Sequence, residues 1–420
     1  MLKVLINAYA VSPNIGSEPG MAWNWCVNLA KYCELFIITE GEFEDKIETV
    51  VPTLEQGKNM HFYFNPVSEK VRRMCWNQGD WRFYRHYWYW QKKTADIARD
   101  ICKKEKIDVL HQLNMIGFRE PGYLWKVSKE TGIPFVWGPV GGLKQFPLKY
   151  VGGGSLKMKL FLVLKNYLNI WQLKYKTRVE QALKQASLII SSIPDSQKAI
   201  KTYKGLESVI IPETGTFAGF SFQQSDNRFY DDYLTVLWIG KFDFRKRLDL
   251  AIAALATIAN PKILLKVFGT GNEEQQRKAQ EYAKRLGVED CIQWLGNCPN
   301  TKVMEEMQKA DLFLFTSVNE DTSTVVLEAV SNHLPVLCFD ACGMSAVVTD
   351  DVGIKIPLSN PEQSVKDFAE KIDYLYHHRD VLKTMSDNCK LRAEELSWEN
   401  KAKQMVALYD NVLKKRKLKQ

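Results

Sequence analysis

The sequence predicts an α/β protein with two open, doubly wound parallel sheets. Thirteen short apolar runs alternate with longer helical patterns along the 420 residues. Most runs are continuous rather than alternating, which is typical of strands covered by helices on both faces. Helical segments between successive strands indicate βαβ units and therefore parallel pairing. Since thirteen strands would be excessive for one sheet, we expect two.

The apolar runs fall into two groups that are separated near residues 212–232. The first group is KVLINAY, CELFIITE, HFYFNPV, DVLHQLN, PFVWGPV, ASLIISS and SVIIPE. The second group is TVLWIGK, KILLKVFG, CIQWLGN, DLFLFTS, LPVLCFD and GIKIPL. The separating stretch is rich in Gly, Ser, Asn and Asp and lacks helical periodicity, so it predicts the domain break. We expect an N-terminal domain at 1–214, a C-terminal domain at 215–396, and a helix with a basic tail at 397–420.

Composition and charge limit the function classes. The chain is 45% hydrophobic and 25% charged, as ordinary globular proteins are. No apolar run approaches the ~18–20 residues of a membrane span, and the start MLKVLINAYA leads us to expect no signal peptide. Nine scattered cysteines without a CxxC pair favour free thiols in a reducing cytoplasm over disulfides or zinc. The formal net charge of +8 favours anionic partners.

Loops that follow strands are where a site is expected, because doubly wound sheets bind ligands at strand carboxyl ends. With two such domains, the cleft between them is the expected location. In SPNIGSEPG, Gly16 allows close approach of a ligand, and Ser17 or Glu18 can cap the next helix, whose N-terminus favours anions. In WGPVGG, Gly141 and Gly142 indicate close passage of a substrate. A plain turn is the alternative for both loops.

Two loops of the second half have features of a phosphate site. GKFDFRKRLD surrounds a helix start with four cations, Lys241, Arg245, Lys246 and Arg247. Cations at a strand end, beside helix N–H groups, could hold a diphosphate, and a solvated basic face is the alternative. VFGTGNEE places Gly269 and Gly271 after a strand, but it lacks the third glycine of GxGxxG and is a weak signal alone.

Two glutamates eight positions apart follow the run DLFLFTS. Glu320 is expected in the loop at the cleft, and Glu328 in the second turn of the helix that begins near Thr322, Ser323 and Thr324, whose side chains suit capping. Carboxylates accept hydrogen bonds from vicinal hydroxyls, so one glutamate could hold a sugar and the other a ribose. The first-turn N–H groups between them could cradle a phosphate. The pattern indicates a nucleotide-sugar, and a cap with a helix-surface Glu is the alternative.

These motifs resemble the retaining GT-B glycosyltransferases of family 4, the "group 1" glycosyltransferases. The family's E-x7-E motif matches Glu320 and Glu328, and its basic motif matches Gly240, Lys241 and Lys246. VFGTG is similar to the family's glycine turn, and GIKIP to the element that closes its active region. AYAVSPNIGSEPGMAWNW and WGPVGG look like acceptor-side loops of a subgroup. The resemblance implies a GT-B fold, with two Rossmann-like doubly wound domains facing across a cleft.

The chain departs from the family pattern at several positions. Lys241 replaces the first arginine of the basic motif, and Arg247 replaces the glycine after the lysine. The usual EGFG is EDTS at 320–323. Many members have a histidine at the end of a strand beside the acceptor cleft, where Val140 stands here. His111, at another strand end on the same edge, is the candidate substitute, and a structural histidine is the alternative.

The resemblance also implies roles for residues. Catalysis falls to Lys246, Lys241 and Glu320, with the cations neutralising the departing diphosphate, so neither a metal nor a cofactor nor a dedicated nucleophile is expected. The donor side comprises Gly240, Gly269, Gly271, Thr322, Ser323, Thr324 and Glu328. The acceptor side comprises Gly16, Ser17, Glu18, His111, Gly141 and Gly142. The expected partners are a nucleotide-sugar donor and a glycan or lipid-linked acceptor, and the last helix is expected to return to the N-terminal domain.

Basic and aromatic segments at 72–93 and 156–178, with the tail LKKRKLKQ, raise the question of a membrane surface. Such helices suit an anionic membrane interface, and they equally suit packing on a domain core. No RRM, KH or helix-turn-helix signature is present, so nucleic acid is not an expected partner. We expect a cytoplasmic protein, with the inner face of the cell membrane as a candidate location.

Three functions remain open from the sequence. The first is transfer of a sugar in polysaccharide or glycolipid assembly. The second keeps the same fold with another reaction, such as a nucleotide-sugar epimerase or a phosphorylase. The third is a catalytically silent nucleotide-sugar binding protein, an alternative that the EDTS and Lys241 departures keep open. The base, the donor sugar and the acceptor do not follow from the sequence.

Overall fold

The computed structural model describes residues 1–77, 80–151, 156–217, 226–269 and 271–418. The centre of the predicted domain break at 218–225, Thr270 of the VFGTG turn and the last two residues of the basic tail lie outside the described residues. The described chain forms a seven-stranded sheet followed by a six-stranded sheet, and all strand pairs are parallel. The prediction of two parallel sheets is confirmed.

Each predicted apolar run overlaps one strand. The first sheet contains β1 Leu2–Ala8, β2 Cys33–Thr39, β3 Met60–Phe64, β4 Val109–Asn114, β5 Phe135–Val140, β6 Ala186–Ser191 and β7 Val209–Ile210. The second contains β8 Leu234–Ile239, β9 Ile263–Phe268, β10 Ile292–Gly296, β11 Leu312–Phe315, β12 Val336–Phe339 and β13 Gly353–Ile356. The run SVIIPE contributes only the two residues of β7, at the edge of its sheet.

Helices connect most of the strands. Those of the first half are α1 Ser17–Leu29, α2 Glu44–Val50, α3 Glu69–Trp76, α4 Phe83–Lys104, α5 Leu124–Thr131, α6 Leu156–Tyr175, α7 Thr177–Gln185 and α8 Pro194–Lys204. Those of the second half are α9 Leu248–Ile258, α10 Glu273–Arg285, α11 Asn300–Lys309, α12 Thr324–Ser331, α13 Met344–Val347, α14 Pro361–His377, α15 Arg379–Glu395 and α16 Trp398–Lys417. Among the described residues, no helix has both the length and the apolar character that crossing a membrane requires.

Both faces of the first sheet are buried, which explains its continuous apolar runs. Val4 and Ile6 of β1 pack into the cluster that contains α1 and α16, whereas Leu5 packs into the cluster on the other face with α4, α5 and α7. Successive strand residues point to opposite faces, so a strand between two helical layers needs apolar side chains at every position.

The last helix, α16, packs on the first sheet although it follows the second in sequence. Trp398, Ala402, Met405 and Tyr409 are buried in the same cluster as α1. Thr216 forms a parallel bridge with Ser397 just before the helix begins. The chain therefore passes between the two sheets twice, near Thr216 and near Ser397.

Strand order brings two sets of loops together. The first sheet runs β3-β2-β1-β4-β5-β6-β7 and the second β10-β9-β8-β11-β12-β13. The order reverses between β1 and β4 in one sheet and between β8 and β11 in the other. Crevices at such reversals, outside the strand carboxyl ends, are where open α/β sheets bind ligands.

The two basic aromatic segments differ in how much of them is covered. On α4, Phe83, Tyr87 and Trp90 are buried against Tyr9 in an aromatic cluster. On α6, only Leu162, Asn169 and Leu173 are buried. Core packing therefore explains Phe83, Tyr87 and Trp90, half of the aromatic side chains of α4, but it leaves most of α6 unexplained.

Candidate active site

A cavity of about 760 Å³ lies where the loops of the two strand-order reversals meet. The first sheet contributes Pro13–Glu18 after β1 and Ile116 after β4. The second contributes Arg245 after β8 and Asn319–Thr322 after β11. Lys144, Glu213–Gly215 and Trp398 complete much of the wall. The cavity is thus built from strand carboxyl ends of both sheets.

An ion pair in the C-terminal half borders this cavity. The Lys246 ammonium lies 2.8 Å from a carboxylate oxygen of Glu320, which also accepts a 3.1 Å hydrogen bond from the Ser317 hydroxyl. The ammonium also lies 4.9 Å from the ring centre of Phe315. Both charged side chains are largely but not wholly buried, at 15% and 20% exposed. A ligand that carries both an anionic group and a hydroxyl can therefore replace this ion pair. Its anionic group would bind Lys246, and its hydroxyl would donate to Glu320.

Asp243 shapes the loop that presents Lys246. Its carboxylate accepts hydrogen bonds from the backbone N–H groups of Arg245 at 2.8 Å and Lys246 at 3.1 Å. It also forms a 2.7 Å ion pair with the Arg245 guanidinium. These contacts hold the pKa of Asp243 below its usual value against the opposing effect of burial. The turn therefore places Arg245 on the cavity wall and Lys246 beside Glu320.

The predicted four-cation cluster needs correction at Arg247. Arg247 turns away from the cavity: its guanidinium lies 2.7 Å from Asp249 and donates to the Tyr150 carbonyl at 3.0 Å. Tyr150 belongs to the first half, so Arg247 joins the two halves. Lys241 is exposed and lies outside the cavity wall. Cations that are close in sequence therefore have different neighbours in the folded chain.

Polar contacts between two pairs of residues join the E-x7-E loop to the first half of the chain. The backbone N–H and the hydroxyl of Thr322 donate to the two carboxylate oxygens of Glu213, at 2.7 and 2.8 Å. The carboxylate of Asp321 lies 2.8 Å from the Lys144 ammonium. Burial, and then the nearby Asp321, raise the pKa of the Glu213 carboxyl. Sequence reasoning missed Glu213, Asp321 and Lys144, since each acts across a long sequence separation.

At two predicted site glycines, neighbouring atoms leave little or no room for a side chain. A Cβ on Gly269 would lie 1.7 Å from the Gly240 carbonyl oxygen, so the loops after β8 and β9 touch there. A Cβ on Gly141 would lie 3.1 Å from the Ser192 hydroxyl and 3.6 Å from Asp321. Gly141 thus faces the second half of the chain beside the cavity.

His111 lies in the interior of the N-terminal half, and its contacts favour the structural alternative over the predicted acceptor-side role. It is fully buried, with Nδ1 2.6 Å from the Tyr409 hydroxyl and Nε2 2.7 Å from the Gly138 carbonyl oxygen. A carbonyl can only accept, so Nε2 carries the proton and the tyrosine donates to Nδ1. Burial lowers the pKa of His111 to about 4, although the Gly138 bond opposes it. The neutral ring therefore ties α16 to the first sheet.

The predicted helix caps are also wrong in detail. Helix α1 begins at Ser17 after Gly16, and neither Ser17 nor Glu18 caps it, since no side-chain hydrogen bond closes its first turn. The Glu18 carboxylate instead accepts the Ile116 backbone N–H at 3.2 Å. Ser323 precedes α12 but likewise makes no capping bond. Gly16, Ser17, Glu18 and Ile116 line the cavity, whereas Ser323 does not.

The sequence model of the family described as "Glycosyl transferases group 1" matches residues 220–392. This match confirms the predicted resemblance to the group 1 glycosyltransferases over these residues. D-inositol 3-phosphate glycosyltransferase of Corynebacterium urealyticum is 27% identical over 180 residues, which are 41% of this chain and 42% of that protein. The match therefore spans less than half of the relative's length.

Solved structures with the same architecture cover nearly the whole chain. Sucrose-phosphate synthase from Thermosynechococcus elongatus matches with a TM-score of 0.63 at 14% identity, over 98% of this chain and 99% of that one. HepE of Anabaena, in complex with UDP and glucose, matches with a TM-score of 0.59 at 14% identity, over 98% and 100%. At this identity the likeness concerns the fold. The predicted GT-B fold is confirmed.

Within the matched residues, the two glutamates of the E-x7-E motif lie in different environments. Glu320 borders the cavity, together with Thr322 and Thr324. Glu328 lies one turn further along α12, outside the cavity wall. Burial raises the pKa of its carboxyl, and a hydrogen bond with Asn300 opposes that effect. Asn300 begins α11, so Glu328 faces the loop after β10.

The pH dependence of stability should reveal the partly buried Glu18 carboxyl. Burial, with smaller contributions from Asp321 and Glu213, raises its pKa to about 7. The folded state then binds a proton that the unfolded state releases above pH ~4.5, so this contribution to stability is lost as the pH rises through about 7. Glu18→Gln, which mimics the neutral acid, should gain about 2 kcal/mol relative to the parent between pH 5 and 8. Urea unfolding of both proteins across this range measures the effect, and a difference that does not change with pH would contradict it.

Proposed function

We propose that the chain is a retaining glycosyltransferase that moves a sugar from a nucleotide-sugar to a saccharide or lipid-linked acceptor in polysaccharide or glycolipid assembly. The observation that supports it most is the Lys246–Glu320 pair, which borders a cavity between two Rossmann-like domains. The glycosyltransferase relatives and the UDP bound to HepE are consistent with this class of reaction and donor.

In this proposal the donor diphosphate takes the place of Glu320 as the partner of Lys246. Negative charge grows on the diphosphate as the glycosidic bond breaks, so a fixed cation there stabilises the transition state more than the ground state. Glu320, released from Lys246, accepts hydrogen bonds from hydroxyls of the donor sugar. The Arg245 guanidinium, at the same wall, adds positive charge, and Lys241 contributes from the more exposed end of the loop.

The acceptor occupies the side of the cavity formed by the first half of the chain. Glu18 and Gly16 lie in its wall, with Gly141 and Gly142 nearby. The acceptor hydroxyl attacks on the face from which the diphosphate leaves, and the departing phosphate takes its proton. This front-face transfer requires neither a protein nucleophile nor a metal ion.

Release of nucleoside diphosphate distinguishes the three candidate functions. A working transferase should slowly hydrolyse its donor without acceptor, in the presence of EDTA, and should release the sugar with retained configuration. A silent binding protein should be stabilised by UDP-, GDP- or ADP-sugars in a thermal shift without turnover, since a bound ligand stabilises by mass action. Formation of an epimerised sugar would favour a nucleotide-sugar epimerase. Formation of a sugar phosphate from a glycoside and inorganic phosphate would favour a phosphorylase. Donor cleavage that EDTA abolishes and Mg²⁺ restores would contradict the metal-independent mechanism.

Glu328→Gln should weaken donor binding if this residue holds the ribose. The proposal rests on its E-x7-E position and on its partly buried carboxyl facing the start of α11. A carboxylate–hydroxyl hydrogen bond contributes roughly 1.5–3 kcal/mol, so the dissociation constant should rise about tenfold or more. Isothermal titration with the donor that gives the largest thermal shift measures it. Glu281→Gln, on the exposed surface of α10, is the matched control and should leave the affinity unchanged.

We also propose a cytoplasmic location at the inner face of the cell membrane. The nine free cysteines are consistent with a reducing compartment, and the net charge of +8 with an anionic surface. Fractionation of cells that express the tagged protein tests the location. Recovery in an oxidising compartment would contradict it.

A further inference from the structure

Helix α6 turns an apolar face outward. Its buried residues Leu162, Asn169 and Leu173 follow one another at spacings of seven and four, and thus form one face. At 3.6 residues per turn, the opposite face consists of five exposed apolar or aromatic residues, Leu160, Leu164, Tyr167, Trp171 and Tyr175. Nothing among the described residues covers this face. It is the reverse of an ordinary surface helix, whose outward face is polar.

The charges of α6 all have one sign. Residues 156–175 include Lys157, Lys159, Lys165 and Lys174 and no Asp or Glu. By the same helical spacing, Lys157 and Lys174 lie on either side of the apolar face, and both are exposed. Lysine stems can lie along apolar surface while their ammonium groups reach outward. The face therefore combines an apolar stripe, interface-seeking Trp and Tyr rings, and flanking positive charge.

Helix α6 lies beside the candidate active site. The Asn166 side chain forms two 2.9 Å hydrogen bonds with the backbone of Phe146, which follows the cavity residue Lys144 in the loop after β5. Partial loss of solvent around the Lys165 ammonium, and then the positive charges of Arg119, Lys144 and Arg245, lower the pKa of Lys165. Lys144 and Arg245 both line the cavity. A surface that covers α6 would therefore lie close to the cavity.

We propose that the outward face of α6 docks on an anionic lipid bilayer. The helix would lie in the plane of the interface, with Leu160, Leu164 and Trp171 among the upper acyl chains and the lysines at lipid phosphates. A second copy of the chain is the less suitable occupant, because two facing α6 helices would bring lysines together without any carboxylate to pair them. This inference deepens the proposed membrane location by assigning the surface responsible, and it favours a lipid-linked acceptor.

Sedimentation with lipid vesicles tests the inference. The parent protein should bind vesicles that contain phosphatidylglycerol more tightly than pure phosphatidylcholine vesicles, and added salt should weaken binding because it screens exposed charges. Leu164→Glu/Trp171→Glu should reduce binding at least about tenfold, since it places charge on the apolar face. Leu391→Glu, a change at a leucine 63% exposed on α15, is the matched control and should bind as the parent does. Lys157→Gln/Lys174→Gln should reduce the preference for anionic vesicles.

Several outcomes would overturn the docking surface. They are equal binding to both kinds of vesicle, binding to neither, and parent-like binding by Leu164→Glu/Trp171→Glu. A concentration-dependent dimer that this double variant dissociates, seen by analytical ultracentrifugation together with absent vesicle binding, would assign the face to a second copy. Donor hydrolysis without acceptor should be unchanged in the double variant. Hydrolysis without vesicle binding would therefore refute only the docking surface, whereas vesicle binding without hydrolysis would refute only the proposed reaction.

Discussion

Replacing Lys246 by alanine should reduce turnover by about 10²–10³ while leaving the fold intact, as loss of a preorganised group that meets transition-state charge does. The ammonium lies at the carboxyl end of β8, 2.8 Å from Glu320 and beside the cavity. Its charge acts most strongly when the diphosphate departs, so the loss should fall on kcat rather than on donor affinity. Steady-state kinetics and a thermal shift of the same preparation measure both properties.

Two further variants separate the charge of Lys246 from its packing. Lys246→Met keeps the stem that packs near Gly240 but removes the charge, so it should be as inactive as the alanine variant. Lys284→Ala, at an exposed lysine on α10 of the same domain, should retain full turnover. If Lys246→Ala turns over within about threefold of the parent, the diphosphate does not bind at this position.

Replacing Trp25 by alanine should lower the free energy of unfolding by about 3–5 kcal/mol, as for other fully buried aromatic residues. Trp25 is completely buried on α1, and its ring meets that of Trp398 edge-on at 5.7 Å. Its indole N–H donates to the Glu213 carbonyl oxygen at 2.9 Å. The residue therefore joins α1, the start of α16 and the segment that holds Thr322. Urea unfolding of the parent and the variant measures the loss.

Trp81 provides the matched control for Trp25. It is 78% exposed just before α4, so Trp81→Ala should change the free energy of unfolding by less than about 0.5 kcal/mol. A Trp25→Ala loss below about 1 kcal/mol would mean that α16 is not held on the N-terminal sheet as the structure places it.

The strands and their division into two sheets could be predicted from the sequence because they depend on local patterns. A strand between two helical layers requires a continuous apolar run, and each of the thirteen runs became a strand. The same reasoning placed Glu320 and Lys246 in loops at strand carboxyl ends, where both are found. Their 2.8 Å contact joins loops from neighbouring strands β8 and β11, so even this pair follows from the parallel order once that order is known.

Contacts between the two halves of the chain could not be predicted in this way. Thr322 and Glu213 are 109 positions apart, and no local pattern marks either one for the other. Arg247 has the charge of its neighbours, but Asp249 and the Tyr150 carbonyl hold it away from the cavity. His111 stands at a strand end, yet the return of α16 brings Tyr409 onto it and buries it.

The two basic aromatic segments show most clearly which properties follow from the sequence and which depend on the tertiary structure. Composition established that both segments are rich in aromatic residues and cations, and that either could pack on a core or face a membrane. In the folded chain, Tyr9 and its neighbours cover the aromatic face of α4, whereas the described chain leaves the outer face of α6 uncovered. An amphipathic pattern shows that a helix has an apolar face, but what covers that face depends on elements distant in sequence.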